Sequence, residues 1–214
     1  MLKQTKGQKG FTLIELLVVA AIIGILLALA IPNLLKARIS ANEANGKKMM
    51  QTLRDAEGEY FEQDLNNDSV RNYTDAIGTV AANGPDTLRD PSGTGVVEDE
   101  LLDSSFVGAD VSGGAAGGDG GAANACAAPK SGYCIVGDAT NANANVDGAG
   151  GFDDYGWQAS MTSFNKTGRR NYSVYSDGAI RCQVMGLGAD GTGTAPASGT
   201  VGDFDVIRTF PGCD

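Results

Sequence analysis

The first third of the chain combines an unbroken apolar run with a helical pattern that continues beyond it. The run covers residues 11–31 (FTLIELLVVAAIIGILLALAI), and Glu15 is its single charged side chain. At about 1.5 Å per residue the run would extend about 31 Å as a helix, which is enough to cross the hydrocarbon core of a bilayer. The pattern therefore predicts a membrane-spanning helix with one carboxylate near its start.

After residue 31, apolar and small side chains recur at steps of three and four, which marks one face of a helix. This face comprises Leu35, Ile39, Asn42, Gly46, Met49, Leu53, Ala56 and Tyr60, and the opposite side carries Lys36, Glu43, Lys47, Arg54 and Glu57. We expect one helix from residue 11 to about residue 63. Its first half would pack against lipid or other subunits, and its second half against a head domain.

Two residues inside this helix weaken it. Pro32 lacks an amide hydrogen and clashes with the preceding turn, so it predicts a kink or a local loosening. Gly24 is a second weak point because glycine disfavours the helical state. A simple kink and a stretched, partly unwound segment between the two residues both agree with the sequence.

The remainder of the chain predicts a small sheet. Residues 64–130 show little pattern apart from a short helix predicted at 97–106 and a Gly- and Ala-rich loop at 108–124. Strand-forming segments follow at 133–136, 156–161, 171–175, 179–184 and 204–210. The Asp177-Gly178 pair is a hairpin signal between two of them. We predict an α+β fold, with an antiparallel sheet of about four strands laid over the second half of the helix.

The charge balance and the absence of histidine narrow the possible functions. The chain carries 16 basic and 26 acidic residues, a net charge of −10, and no histidine. An acidic surface argues against general nucleic-acid binding. The lack of histidine removes the commonest general base and most zinc sites. We therefore expect neither an enzyme nor a cofactor-binding protein, and no specific nucleic-acid partner.

The four cysteines predict disulfides. They are Cys126, Cys134, Cys182 and Cys213, and none forms a C-x-x-C pair. An even count behind an export-like N-terminus indicates two disulfides in an oxidising compartment. Three pairings are possible, and proximity in the sequence favours Cys126 with Cys134 and Cys182 with Cys213.

A weak calcium pattern follows the helix. Asp64, Asn66 and Asp68 have the D-x-N-x-D spacing with which a calcium loop begins. The glycine at the sixth place and the glutamate at the twelfth are missing. A polar turn after a helix explains these residues equally well, so no metal is assigned to them.

Three interpretations of the N-terminus follow from the sequence. Lys3, Lys6 and Lys9 could be the basic region of a signal peptide, with an A-x-A cleavage site at 28–30, although its apolar core is longer than usual. The run could also be a plain membrane anchor, whose orientation the flanking charges leave open. Neither interpretation explains Glu15, because an acidic side chain is costly in lipid.

The third interpretation accounts for Glu15. The segment from Gly10 to Glu15, with a short basic leader before it and an apolar run containing Gly24 and Pro32 after it, resembles the processing site of type IV prepilins and of type II secretion pseudopilins. Residues 168–182 (GRRNYSVYSDGAIRC) also resemble a strand-turn-strand of prepilin-like proteins. The resemblance implies that a prepilin peptidase cuts after Gly10 and that Phe11 is then N-methylated. Glu15 would meet the new amine of Phe11 on a neighbouring copy.

The resemblance also implies a domain organisation and a function. Residues 1–10 would be a leader, 11–32 the transmembrane and assembly helix, 33–63 the half of the helix that packs on the head, and 64–214 the head. The chain would wait in the inner membrane and then polymerise with itself, through an assembly machinery, into an extracellular pilus. The alternatives are a periplasmic pseudopilin of a type II secretion system and a membrane-anchored binding module. The roles in motility, adhesion, DNA uptake or secretion stay open.

Overall fold

The computed structural model describes residues 10–64, 69, 71–74, 76–78, 87–90, 100–110, 126–137 and 155–184. The chain forms two compact units, Met1–Arg38 and Ile39–Asp214. Helix α1, Leu13–Gln63, contributes to both of them. The two units differ in the burial of their apolar side chains.

The first unit is the apolar part of α1 with the residues before it. Of the described residues, those of α1 form the one helix long and apolar enough to cross a membrane, judged by length and composition, and none of its most apolar stretch is buried. Leu26, for example, is 60% exposed. Among the residues of this unit that the structure describes, 10–38, none covers the apolar side chains.

In the second unit, α1 buries one face in the head. The buried residues are Ile39, Gly46, Met49, Met50, Leu53, Ala56, Glu57 and Tyr60. This confirms most of the predicted face, but the placement of Glu57 on the polar side is wrong. Residues 46, 50, 53, 57 and 60 follow the four-and-three spacing of one helical face, so the buried arc is wide enough to include position 57.

The sheet has four antiparallel strands in the order β1-β2-β3-β4. They are β1 Tyr133–Gly137, β2 Gly156–Met161, β3 Arg170–Tyr175 and β4 Arg181–Val184. The predicted α+β class is therefore confirmed, and the first three strands lie within one residue of their predicted bounds. The fourth begins two residues later than predicted, after the Asp-Gly turn. The fifth predicted strand, 204–210, lies outside the described residues.

The core lies between α1 and the sheet. Trp157 on β2, Tyr133 on β1 and Leu53 on α1 are fully buried in one apolar cluster. Gly46 permits a close approach at this interface, because a Cβ atom there would lie 3.1 Å from the ring of Tyr172. A larger side chain at position 46 would push α1 away from β3.

The helix predicted at 97–106 is not observed where the structure describes that range. The short helix α2 instead covers Ser105–Ala109. The Asp103 carboxylate accepts a hydrogen bond from the Ser105 amide at 2.8 Å, which favours a helix start at this point. Phe106 and Ala109 of α2 are buried in the head core.

Candidate processing and assembly segment

Gly10 lies in an exposed, non-helical segment immediately before α1. Gly10, Phe11 and Thr12 have no helical structure, and α1 begins at Leu13. A Cβ atom at Gly10 would meet nothing within 4 Å. The peptide bond between Gly10 and Phe11 is therefore not protected by helical hydrogen bonds or by packing against the described residues, which is the state a peptidase needs to reach a bond.

Thr12 and Glu15 form a reciprocal capping box at the start of α1. The Glu15 carboxylate oxygen Oε2 accepts a hydrogen bond from the Thr12 amide at 2.8 Å and another from the Thr12 hydroxyl at 2.8 Å. In return, the Thr12 hydroxyl oxygen accepts the Glu15 amide at 3.3 Å. The T-x-x-E spacing produces this arrangement, because positions N-cap and N3 lie one turn apart.

This geometry holds the acid at the backbone amide that directly follows the peptide nitrogen which processing would release. Glu15 is bonded to the amide of Thr12, which directly follows Phe11 in the chain. The carboxylate also lies in the first turn of α1, where the positive end of the helix dipole favours a negative charge. An acceptor in this position can bind an amine that approaches the N-terminal end of α1.

The apolar surface around this acid is unusually extensive. Sixteen large apolar side chains of the described chain are exposed, and all lie between residues 11 and 35. Phe11 is 90% exposed and Leu13 is 82% exposed. Contiguous exposed apolar surface on this scale marks a surface that a membrane or another protein covers. Glu15 is thus the single acid on an apolar surface that a membrane or another protein would bury.

Gly24 and Pro32 both lie inside α1, which is assigned as continuous helix through them. No neighbouring atom lies within 4 Å of a Cβ built at Gly24. Next to Pro32, the side-chain amide of Asn33 donates a hydrogen bond to the Leu29 carbonyl at 3.3 Å.

The cysteines lie in the second unit. Cys126 and Cys134 form a disulfide that closes a short loop before β1. This is the pairing that proximity in the sequence favours. Cys182 on β4 is also disulfide-bonded, and its expected partner, Cys213, lies outside the described residues.

The weak calcium candidate is only partly described. The Asp64 carboxylate accepts a hydrogen bond from the Ser69 amide at 3.2 Å, which is the contact of a polar turn. Asn66 and Asp68 lie outside the described residues. Among the residues that the structure does describe, no group of three or more potential ligands could hold a metal ion.

The sequence did not indicate a buried polar contact that joins the helix to the sheet. Glu57 is 0% exposed. Its carboxylate accepts the Trp157 indole N–H at 2.7 Å and the Thr74 amide at 3.3 Å. Both carboxylate oxygens therefore have donors, as a buried acid requires. The seven-residue spacing between Met50 and Glu57 is the one signal that could have indicated its burial.

A second polar cluster fixes α2 to the segment before β1. Lys130 forms an ion pair with Asp103 at 2.9 Å and lies 4.1 Å from the centre of the Phe106 ring. Hydrogen bonding from Ser105, together with the Lys130 ammonium group, lowers the pKa of Asp103 to about 2. Burial raises the pKa of Tyr172 to about 12. These shifts are those of structural contacts.

The Gly10–Phe11 bond is exposed, and Glu15 forms a capping box at the start of an apolar α1. The second unit contains a four-stranded antiparallel sheet. Together these features are the arrangement of a pilin-like subunit. Residues 5–31 match the family described as the prokaryotic N-terminal methylation motif. The chain is 37% identical over 76 residues to the type IV major pilin protein PilA of Myxococcus xanthus. It is 66% identical over 38 residues to the type IV wide pilus major component PilA4 of Thermus thermophilus.

Together, these findings support the type IV pilin superfamily for this chain. The two matches cover 36% and 18% of the chain, and 33% and 29% of the relatives. The chain thus spans about a third of the length of the curated relatives it matches. The names of the two relatives are those of a major pilin and of a major pilus component. No solved structure is significantly similar to the chain.

Proposed function

We propose that this chain is the structural subunit of a type IV pilus. A prepilin peptidase would cut it after Gly10, Phe11 would be N-methylated, and the subunit would polymerise with copies of itself. The observation that supports this most strongly is the Glu15 carboxylate, which lies beside the future N-terminus on a helix whose apolar side chains are exposed. The names of the two relatives, a major pilin protein and a major component of a wide pilus, agree with this role.

The energetics of Glu15 favour assembly over an isolated anchor. An acidic side chain at the centre of a membrane helix costs about 2.5–3.5 kcal/mol, and less near its end. The two hydrogen bonds from Thr12 reduce that cost in the single subunit. In the interior of a fibre, the amine of a neighbouring Phe11 would supply the missing opposite charge. A buried acid that finds its partner in one register only would define the stagger between subunits.

The proposed life cycle follows from this chemistry. Residues 1–10 would be the leader, 11–32 the anchor and later the fibre core, 33–63 the half of the helix that packs on the head, and 64–214 the head. The precursor would lie in the inner membrane, and the assembled subunit in an extracellular pilus. Its partners would be other copies, the prepilin peptidase and the assembly machinery. Gly24 and Pro32 would give α1 the places where it can bend or stretch on assembly.

A pseudopilin of a type II secretion system is the alternative, because the family match covers residues 5–31 and pseudopilins share that segment by resemblance. The two functions make different predictions for a deletion strain. Loss of surface fibres with normal protein secretion would support the pilus. Loss of protein secretion without loss of fibres would support the pseudopilin.

The proposal is tested by replacing Glu15 in the full chain. We expect Glu15→Ala to be cut after Gly10 as usual, but to yield at least about tenfold fewer fibres, because the fibre interior loses an ion pair worth more than 1.4 kcal/mol. Glu15→Asp is a matched control that keeps the carboxylate and the apolar surface around it, and it should assemble better than Glu15→Ala. A normal fibre yield from Glu15→Ala would contradict the proposal.

A further inference from the structure

The charge on the exposed side of α1 in the second unit changes from positive to negative along the helix. Lys48, Asp55, Glu59 and Glu62 are all exposed. Their spacings of seven, four and three residues place them on one stripe of the helix. The stripe is therefore basic at residue 48 and acidic from residue 55 onward. The Glu59 and Glu62 positions lie about 16–21 Å along the helix axis from Lys48.

The loop between β2 and β3 adds positive charge at the basic end of this stripe. The Asn42 side chain donates a hydrogen bond to the Thr167 carbonyl at 2.9 Å, and the Arg169 amide donates one to the Glu43 carboxylate at 2.8 Å. These contacts hold the loop at the level of residues 42–43 on α1. Lys166 and Arg169 of the loop are both exposed. We define the basic end of the head as Lys48, Lys166 and Arg169.

Among the described residues, the charged side chains at the two ends form no ion pair, although the Glu43 carboxylate lies at the Arg169 backbone amide. Asp55 pairs with Arg54 at 2.8 Å. Glu59 accepts a hydrogen bond from the neutral Gln63 at 2.9 Å, and among the described residues neither Glu59 nor Glu62 forms an ion pair. Within the same residues, no carboxylate pairs with the side chains of the basic end. We define Glu59 and Glu62 as the acidic end of the head.

We propose that the basic end of one head docks against the acidic end of another copy in the fibre. This inference rests on the proposed function, because it needs subunits that assemble. Copies anchored in one membrane are parallel. Parallel copies in register would bring like charges together, whereas parallel copies offset along the helix axis bring opposite charges together. The contact joins two different surfaces of the same head, and repeated contacts of this kind produce an open helical assembly.

The charges fix the offset between heads more than they hold the fibre together. Exposed ion pairs are individually weak, but complementary patches select one arrangement and penalise the others. The exposed apolar residues between 11 and 35 supply the main surface for burial. The two charged ends would then select the head-to-head stagger compatible with the pairing of Glu15.

A charge-swap series tests this contact. Reversing the basic end with Lys166→Glu and Arg169→Glu should lower the fibre yield about tenfold, since two attractive contacts become repulsive. Reversing the acidic end with Glu59→Lys and Glu62→Lys should do the same. Combining all four substitutions should restore the yield to within about threefold of wild type. The matched control, Lys166→Arg with Arg169→Lys, keeps both charges and should assemble normally.

The fluorescence of Trp157, the single tryptophan, shows whether each variant has a folded head. If wild-type fibres form and the reversals do not change their yield, the charge contact is wrong and the proposed function stands. If all variants are folded and the fourfold variant stays as poor as each reversal alone, the contact is also wrong. If wild type forms no fibres, both proposals fail.

Zero-length crosslinking of wild-type fibres gives a test that needs no variant. A carbodiimide should join Lys48 or Lys166 to Glu59 or Glu62 of another copy, and mass spectrometry should find the linked peptides. The same link should be absent from subunits dispersed in detergent. Equal amounts in fibres and dispersed subunits, or no link in fibres, would overturn the inference.

Discussion

The two parts of α1 differ in the exposure of similar side chains. Leu26 in the first unit is 60% exposed, whereas Leu53 in the second is 0% exposed. Both are leucines in one helix, and composition alone does not separate them. The second part packs against the sheet, whereas none of the described residues covers the apolar side chains of the first part. In the second unit, α1 is part of a packed core. In the first unit, its apolar side chains are exposed, and a membrane and then a fibre can cover them.

A matched pair of Leu→Ala substitutions breaks this comparison most strongly. Leu53→Ala should lower the free energy of unfolding of the head by about 2–5 kcal/mol, because it leaves a cavity in a packed core. Leu26→Ala should change it by less than about 0.5 kcal/mol. Urea titration of the full chain in detergent, followed by Trp157 fluorescence, measures both. Equal effects of the two substitutions would remove the distinction between the units.

The disulfide provides the next test, because it acts only on the head. Replacing Cys126 and Cys134 together with serine should reduce the stability of the second unit by roughly 2.5 kcal/mol, since the unfolded chain regains the freedom of a short loop. Processing after Gly10 should not change. The same titration and the mass of the N-terminus measure the two effects, and a processing defect would show that the units are coupled.

A substitution of Glu57 tests whether its hydrogen bonds stabilise the interface between α1 and the sheet. Glu57→Gln keeps the size of the side chain and can still accept from Trp157. The new side chain turns toward the Thr74 amide either its NH2 group, which cannot accept a hydrogen bond, or its oxygen, which is a weaker acceptor than a carboxylate. We therefore expect the free energy of unfolding to fall by about 1–3 kcal/mol. Glu59→Gln, an exposed substitution on the same helix, is the control and should be close to neutral. A neutral Glu57→Gln would show that packing alone holds this interface.

Asp103 gives the smallest expected effect and a pH dependence with a defined sign. Its pKa of about 2 lies below the ordinary value near 3.9, so its contribution to stability is present above about pH 4 and is lost as the pH falls toward 2. Since the Asp103 side chain is 63% exposed, Asp103→Asn should cost at most about 1 kcal/mol at pH 7. That difference should disappear in titrations near pH 2, and a difference that persists there would contradict the assignment.

Much of the fold could be predicted from the chain because its periodicities are clear. A spacing of three and four residues predicted the part of α1 in the head, and β-favouring runs around Asp177-Gly178 predicted the hairpin of β3 and β4. The burial of Glu57 could not be predicted, because a carboxylate without known donors favours the solvent side of a helix. Its burial depends on donors from Trp157 and Thr74, which lie far away in the sequence.

The N-terminal segment shows a similar division. Glu15 could be singled out from the sequence because it is the one charged side chain in the apolar run, whereas the roles expected of Gly10 and Phe11 came from the resemblance to type IV prepilins. The reciprocal bonds with Thr12 were not predicted, although the T-x-x-E spacing contains them. The charge step along α1 was also missed, since its significance depends on a loop that follows β2 and lies against residues 42–43.

The mass of the intact subunit from sheared surface fibres tests the central claim most directly. The account predicts a chain that begins at Phe11, carries one additional methyl group on its amine and keeps the whole apolar helix. A mature chain that begins at residue 31 would contradict it, because Glu15 and the surface that surrounds it would then be absent from the exported protein.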